Sequence, residues 1–352
     1  MKLRVGILGA TGMVGQRFIA QLYNHPWFEI TSLMASERSA GKAYKEVAKW
    51  YIEGEIPEEV SEMIVEEINP QKAEKGELDL VFSAIPASIA LEVEASFAKH
   101  VPVYSNTRTY RMEKDVPLVV GDVNPDHLQL VEVQREKRGW RGGIVTNPNC
   151  STIGLVVPLK PIYDNWGIEF VHVATMQALS GAGYSGVPSM AILDNLIPFI
   201  SGEEEKVESE PLKILGSLEG DEVKNASFSI MASCNRVMIL DGHTEAVFLK
   251  TEEEFELDEV VKALKSYSSE PQKLELPTAP VPPIVVREEE DRPQPRRDRN
   301  AGRGMAVSVG RLRKNEGKLL KFICLSHNTI RGAAGASVLN AELAYKKGLL
   351  KV

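Results

Sequence analysis

Cys150 stands in Thr146-Asn147-Pro148-Asn149-Cys150-Ser151-Thr152, after the apolar run Gly143-Ile144-Val145 and before Ile153, Leu155, Val156, Leu159 and Ile162. This order puts a thiol where a strand gives way to a helix. Open backbone N–H groups and the helix dipole at such a start favour a thiolate and should lower the thiol pKa. A carbonyl oxygen drawn onto the same donors would become a stabilised oxyanion. The competing reading is a small buried hydrophobe, the common fate of a free cysteine. Asn-Pro-Asn-Cys-Ser-Thr is polar and punctuated, which is unlike core strand. A nucleophile of this kind needs a proton carrier, and His is the usual one near neutral pH. His243, in a glycine-punctuated turn (Leu240-Asp241-Gly242-His243) expected just before a strand, is the candidate. Arg236, seven residues upstream, is available for an anionic substrate.

Gly9-Ala10-Thr11-Gly12-Met13-Val14-Gly15 follows an apolar strand over 3–8 and opens an amphipathic helix running to about residue 25. Its glycine spacing differs from GxGxxG, but the mechanism is shared: glycines permit the tight turn, and the helix N-terminus receives a pyrophosphate. The second strand, expected over 29–35, ends in Ser36-Glu37-Arg38-Ser39-Ala40-Gly41-Lys42. Sites for NAD usually place an acidic residue there for the ribose 2′-OH, a part Glu37 could play. Two hydroxyls with a guanidinium suit a 2′-phosphate better, so NADP is the expected cofactor. A thiolate beside a nicotinamide implies one reaction class. The thiol adds to an aldehyde, hydride leaves for the cofactor, and the thioester is cleaved by phosphate, water or another thiol.

The elements that must hold these residues follow from length and pattern. A chain of 352 residues exceeds one ordinary core, so two domains are expected. Further strands are expected over 78–85 and 101–105, with a helix over 89–100 between them; this βαβ alternation suggests a parallel, doubly wound sheet. Beyond Cys150 the strand-like runs are 170–179, 228–231, 245–250 and 304–312, with a helix over 258–266. The expected class is therefore α/β: an N-terminal Rossmann-like doubly wound parallel sheet (1–149) plus an α+β catalytic and dimerisation domain with a mixed sheet (150–329). The Ala-rich segment over 332–347 should form a helix that packs back on the first domain, which 330–352 would complete. The proline-interrupted charge run over 287–299 reads as a solvated loop.

A net charge of −8 argues against general nucleic-acid binding. No apolar run approaches a bilayer span, and the first residues lead into a strand rather than a signal peptide, so a cytoplasmic protein is expected. Cys150, Cys234 and Cys324 lie far apart without a CxxC, which excludes a disulfide scaffold and a Cys-rich zinc site. The six histidines include no His-x-x-x-His pair, and no metal is expected.

Taken jointly, these motifs resemble aspartate-β-semialdehyde dehydrogenase, particularly its archaeal and fungal branch, nearly end to end. The residues that carry the resemblance are the 9–15 loop, Ser36-Glu37-Arg38-Ser39, Ser105-Asn106, the Cys150 loop, Gln177, Ser180-Gly181-Ala182-Gly183, Gly202-Glu203-Glu204-Glu205-Lys206, Arg236 with Gly242-His243, and His327-Asn328-Thr329. The resemblance implies reversible, NADPH-dependent reductive dephosphorylation of L-aspartyl-4-phosphate, a step in making lysine, threonine, methionine and isoleucine. It makes Cys150 the acyl-forming nucleophile, with Gln177 orienting the intermediate and His243 shuttling the proton. Arg236 would hold the substrate carboxylate, Glu203 its amino group, and Arg111 and Lys206 the transferred phosphate, with Asn149 also facing substrate. Gly9, Thr11, Gly12, Met13, Val14 and Ser83 would contact NADP, with Ser36, Arg38 and Ser39 at its 2′-phosphate and Gly181 and Asn328 at its nicotinamide. Relatives associate as homodimers or homotetramers.

One departure from the bacterial branch is visible: Asp241 stands where that branch tends to carry a basic residue. Among rivals, a malonyl-CoA reductase of the same plan tends to carry Pro-Leu-Cys, whereas this chain has Pro148-Asn149-Cys150. A non-catalytic NADP-binding sensor would not need Cys150, Gln177 and His243 together. A glyceraldehyde-phosphate type enzyme would carry a Ser-Cys-Thr-Thr loop, which is absent.

Overall fold

The computed structural model describes residues 2–350; Met1, Lys351 and Val352, the outermost residues of the expected domain spans, lie outside it. Six strands build the first sheet: β1 (Leu3–Leu8), β2 (Phe28–Ala35), β3 (Val65–Glu67), β4 (Leu80–Ser83), β5 (Pro102–Ser105) and β6 (Gly143–Thr146). They pair in parallel in the order β3-β2-β1-β4-β5-β6. That is the doubly wound order whose reversal point, between β1 and β4, opens a crevice at the strand C-termini. The sequence is apolar where both faces of such a sheet are covered: Val5, Ile7, Leu80 and Phe82 pack on one side, Leu8, Met34, Val81 and Val103 on the other.

The glycine loop occupies this crevice. Gly9 has φ +82°, and a Cβ there would lie 2.7 Å from the Ala84 carbonyl oxygen. A Cβ on Gly15 would lie 2.2 Å from the Gly9 carbonyl oxygen, so only glycine lets the loop fold onto the helix Met13–Leu22.

The second sheet uses β7 (Phe170–Gln177), β10 (Ser229–Arg236), β11 (His243–Lys250), β12 (Ile284–Val286), β13 (Val307–Lys314) and β14 (Leu319–Ser326), beside a small hairpin of β8 (Ser217–Glu219) and β9 (Glu222–Lys224). Its order, β10-β7-β11-β14-β13-β12, is mixed, with parallel pairs at both ends and antiparallel pairs between. The helix Cys150–Trp166 lies on one face and supplies Ile153, Val156 and Leu159 to a core shared with Val173, Val247 and Phe322. Each such buried side chain contributes about 1.5–3 kcal/mol. The other face leaves Met231 and Phe248 exposed.

Three expectations need correction. His243 is the first residue of β11, paired with Ser326, because the turn closes one residue earlier, at Gly242. The C-terminal segment is two pieces, a π-turn at Ile330–Ala334 and the helix Gly335–Lys346; their Ala334, Val338, Leu339 and Leu343 pack with Val5 and Phe82 of the first sheet and Phe18 of the helix Met13–Leu22. The 287–299 run is only partly solvated: Glu288 to Asp291, Arg296 and Arg297 are exposed, whereas Arg292, Pro293 and Asp298 are buried. Arg287 and Arg292 close on the buried Asp298, and the chain packs against Gly242 through Pro295 and Arg299. The strands not anticipated are the β3 edge strand, the β8-β9 hairpin, β12 and β14, whose Leu320, Phe322 and Cys324 alternate inward.

Candidate active site

Asn149 starts the nucleophile helix. Its side-chain oxygen accepts from the N–H groups of Ser151 (2.9 Å) and Thr152 (3.2 Å), the ordinary duty of an N-cap. Its Nδ2 donates to Glu203 (2.7 Å) and its backbone N–H to Glu210 (2.6 Å). Asn149 is thereby held by two carboxylates from one face of the helix Glu203–Ile214. Cys150, the first helical residue, points its sulfur into a cavity of about 540 Å³.

Opposite, strand ends of the mixed sheet deliver the other groups. Gln177 closes β7 and Arg236 closes its parallel neighbour β10, as a paired couple. His243 opens β11, with Nε2 3.2 Å from Cys150 Sγ. Nδ1 of His243 accepts from the Ala178 N–H at 3.0 Å, so the neutral ring carries its proton on Nε2, facing sulfur. Gly181 lies against both: its missing Cβ would be 2.9 Å from an Arg236 guanidinium nitrogen and 3.3 Å from the His243 ring.

The ionisation state corrects one expectation. Burial, aided by the Glu203 carboxylate, pushes the Cys150 thiol up to about 12, against Arg111, Arg236 and the Ser151 N–H. Burial, with Arg236 and His327, pushes the His243 imidazole down to about 3. At rest the pair is therefore thiol and neutral imidazole, because desolvation outweighs the helix start.

The cavity is also lined by Arg111, Lys206, Arg236, Glu203 and Asn328. Arg111 pairs with Glu210 (2.8 Å) and donates to the Asn106 carbonyl (3.0 Å). Lys206 pairs with Glu203 (2.9 Å). Asn328 accepts from the Gly242 N–H (2.8 Å) and donates to Ser180 (2.8 Å), tying three segments of the wall together. Met13 and Val14 reach the same cavity.

The dinucleotide candidates lie next to it. Gly12 caps the helix Met13–Leu22 with no side-chain hydrogen bond and no acidic residue in the first turn, a start able to receive a phosphate. Ser36 and Arg38 are exposed beyond β2, with Ser39 half-buried beside them, and Arg38 uses only its carbonyl, accepting from Lys42. The Ser83 hydroxyl is spent on Glu94 (2.7 Å) and its carbonyl accepts from the Asn106 N–H (2.9 Å), so neither oxygen of this buried residue is free for a ligand.

Two residues escaped sequence reasoning. Glu210 shares a helix face with Glu203 and Lys206, a spacing that could have flagged it. Arg108 lines the cavity, and its side chain forms no hydrogen bond or ion pair among the described residues. One carboxylate–imidazole group also gathers among the described residues: Glu53, Asp241 and His327 bring ligand-type atoms within 4.8 Å. Arg17 already meets Glu53 (2.7 Å) and Asp241 (3.8 Å), so the negative charge there is answered by a guanidinium.

The semialdehyde dehydrogenase family models match residues 4–131 (NAD binding domain) and 159–331 (dimerisation domain). An aspartate-semialdehyde dehydrogenase of Methanothermobacter thermautotrophicus is 58% identical over 97% of this chain and 98% of its own length. One from Schizosaccharomyces pombe is 49% identical over 99% of each. The crystal structure of aspartate semialdehyde dehydrogenase with NADP from Candida albicans superimposes with a TM-score of 0.90 at 43% identity, covering 99% of this chain and 100% of that one. The expected kinship with archaeal and fungal enzymes is thus borne out, and the chain belongs to the aspartate-semialdehyde dehydrogenase family.

Proposed function

We propose that this protein reversibly converts L-aspartyl-4-phosphate to L-aspartate-4-semialdehyde with NADPH, as a step of amino-acid biosynthesis, through a thioester on Cys150. The observation that carries the reading is Cys150 Sγ placed 3.2 Å from His243 Nε2 on a cavity that the glycine-loop helix also reaches. Residues 1–149 with 330–352 form the nucleotide domain and 150–329 the catalytic and dimerisation domain.

The cofactor fits the residues present. The uncapped first turn after Gly12 would take its pyrophosphate, with Gly9, Thr11, Met13 and Val14 beside it. Arg38, with Ser36 and Ser39, would take the 2′-phosphate of NADP. Gly181 and Asn328 would flank the nicotinamide. When bound, the dinucleotide supplies or receives the hydride at the acyl carbon.

The chain's own residues do the rest. The Cys150 sulfur, as thiolate, attacks the acyl carbon; the C–O bond to the phosphoryl group breaks, and its electron pair leaves with phosphate. Gln177 orients the thioester. Arg236 holds the α-carboxylate and Glu203 the amino group, while Arg111 and Lys206 face the phosphate. After reduction the C–S bond breaks, the aldehyde forms, and the sulfur departs as thiolate. Overall one proton is consumed, and it ends on the released phosphate. The proton shed by the Cys150 thiol would rest in transit on His243 as an imidazolium, which forfeits the hydrogen bond from Ala178. It then passes to phosphate, and the departing thiolate takes one from solvent. The site's own cations and the Glu203 carboxylate would thus replace, around the substrate, the water that burial removes.

The same chain is proposed to work in the cytoplasm as a homodimer or homotetramer, with the exposed Met231–Phe248 face of the mixed sheet as a contact between copies. Among the described residues no helix is long and apolar enough to cross a membrane. The deciding experiment is spectrophotometric: NADP+ reduction by aspartate semialdehyde must require inorganic phosphate. Turnover with malonyl-CoA instead, or none, would defeat the reading.

A further inference from the structure

Four cations line the cavity: Arg108, Arg111, Lys206 and Arg236. Two are already neutralised, Lys206 by Glu203 at 2.9 Å and Arg111 by Glu210 at 2.8 Å. Arg236 meets no carboxylate; its guanidinium donates to the Ala178 carbonyl and lies beside His243. The Arg108 side chain, which is exposed, makes no hydrogen bond or ion pair among the described residues and keeps its whole charge.

The substrate of the proposed reaction carries two separate anionic groups, a carboxylate and a phosphoryl group. The site offers two uncompensated cations. Arg236 answers the carboxylate, which leaves the phosphoryl group, a dianion, facing Arg111 and Lys206 whose charge is already spent. We propose that Arg108 is the residue that supplies net positive charge to the phosphoryl subsite and so selects phosphate as acyl acceptor.

Its placement agrees. A Cβ on Gly202 would lie 3.9 Å from an Arg108 guanidinium nitrogen. Gly202 precedes Glu203, whose carboxylate takes the side chain of Asn149, the neighbour of Cys150. Arg111, three residues along the same turn, has its Nε buried and without a partner, a donor left for an oxyanion. Arg111 thus contributes direction and Arg108 charge. In the reductive sense, the C–O bond breaks as sulfur attacks, and the departing phosphate gains the charge Arg108 attracts. In the oxidative sense, a phosphate oxygen attacks the thioester carbon and the C–S electron pair returns to Cys150.

The inference rests on the proposed activity, so the test separates the two. In the oxidative direction, Arg108→Ala should raise the KM for inorganic phosphate roughly tenfold or more, leaving those for aspartate semialdehyde and NADP+ within about twofold. Arg108→Lys should recover part of the loss. An unchanged phosphate KM, or an equal rise for aldehyde or NADP+, overturns the assignment. Independently of turnover, calorimetric titration of phosphate into Cys150→Ala protein should weaken by a similar factor when Arg108→Ala is added; equal binding overturns it too. Phosphate bound through Arg108 by an enzyme that shows no phosphate-dependent hydride transfer would retire the activity and leave this subsite standing.

Discussion

The Cβ that Gly332 lacks would lie 2.7 Å from the Cβ of Cys150 and 3.0 Å from its Cα. The π-turn Ile330–Ala334 is therefore pressed against the first residue of the nucleophile helix, and π-turns of this kind often mark functional sites. Gly332→Ala must move either backbone. The expected outcome is a fall in kcat of about a hundredfold, since misplacing a reacting group by an ångström costs that much. The added methyl should also cost about 1–3 kcal/mol of stability, read by urea unfolding. A fully active Gly332→Ala enzyme would mean that the turn yields without disturbing the sulfur.

The neutral pairing of Cys150 and His243 has a pH signature. With the thiol pushed up to about 12, the unliganded protein holds little thiolate at pH 7, and the fraction grows as pH rises. Iodoacetamide alkylation of Cys150 should therefore keep accelerating from pH 6 to beyond 9 without a plateau. The imidazole, pushed down to about 3, stays neutral through this window and adds no inflection near its ordinary value. A rate that levels off below pH 7 would instead reveal a preformed thiolate–imidazolium pair. His243→Asn should lower kcat about a hundredfold or more, and an unchanged kcat would remove His243 from proton transfer.

Much of this site could be read before folding, because its parts are local. Asn-Pro-Asn-Cys announces a capped helix start, and Gly9 and Gly15 announce a turn that admits no side chain. The ionisation of Cys150 could not be read, because it depends on how much water the packed walls remove. Glu210 and Arg108 were missed for a different reason. Their meaning lies in pairing, one carboxylate joining Arg111 to Asn149 and one guanidinium left over, and pairing is fixed only when distant segments meet. The 287–299 run misled in the opposite direction: its charges pair with one another around buried Asp298.

Arg38 is the residue proposed to set the cofactor preference. Its guanidinium is exposed and free, and nothing else in the turn after β2 offers a permanent cation except Lys42. Arg38→Ala should weaken NADP binding roughly tenfold or more, as expected for losing a charge-assisted hydrogen bond, while NAD binding changes little. Fluorescence titration with both dinucleotides checks this. Equal weakening of the two would place the 2′-phosphate elsewhere.

Arg17 links the glycine-loop helix to the His243 turn. Its guanidinium donates to Thr329 (2.9 Å) and Glu53 (2.7 Å) and lies 3.8 Å from the carboxylate of Asp241, two residues before His243. Arg17 and Asp241 are both buried, whereas Glu53 is largely exposed. Arg17→Met would leave the Asp241 charge buried without its guanidinium, a loss of about 3–5 kcal/mol for pairs of this kind. Asp241→Asn should cost less, because Arg17 keeps Glu53 and Thr329. Combining Arg17→Met with Asp241→Asn should then restore part of the loss, since the orphaned charge is gone. Urea unfolding of the four proteins measures the coupling, and strictly additive losses would show that the two groups do not sense each other.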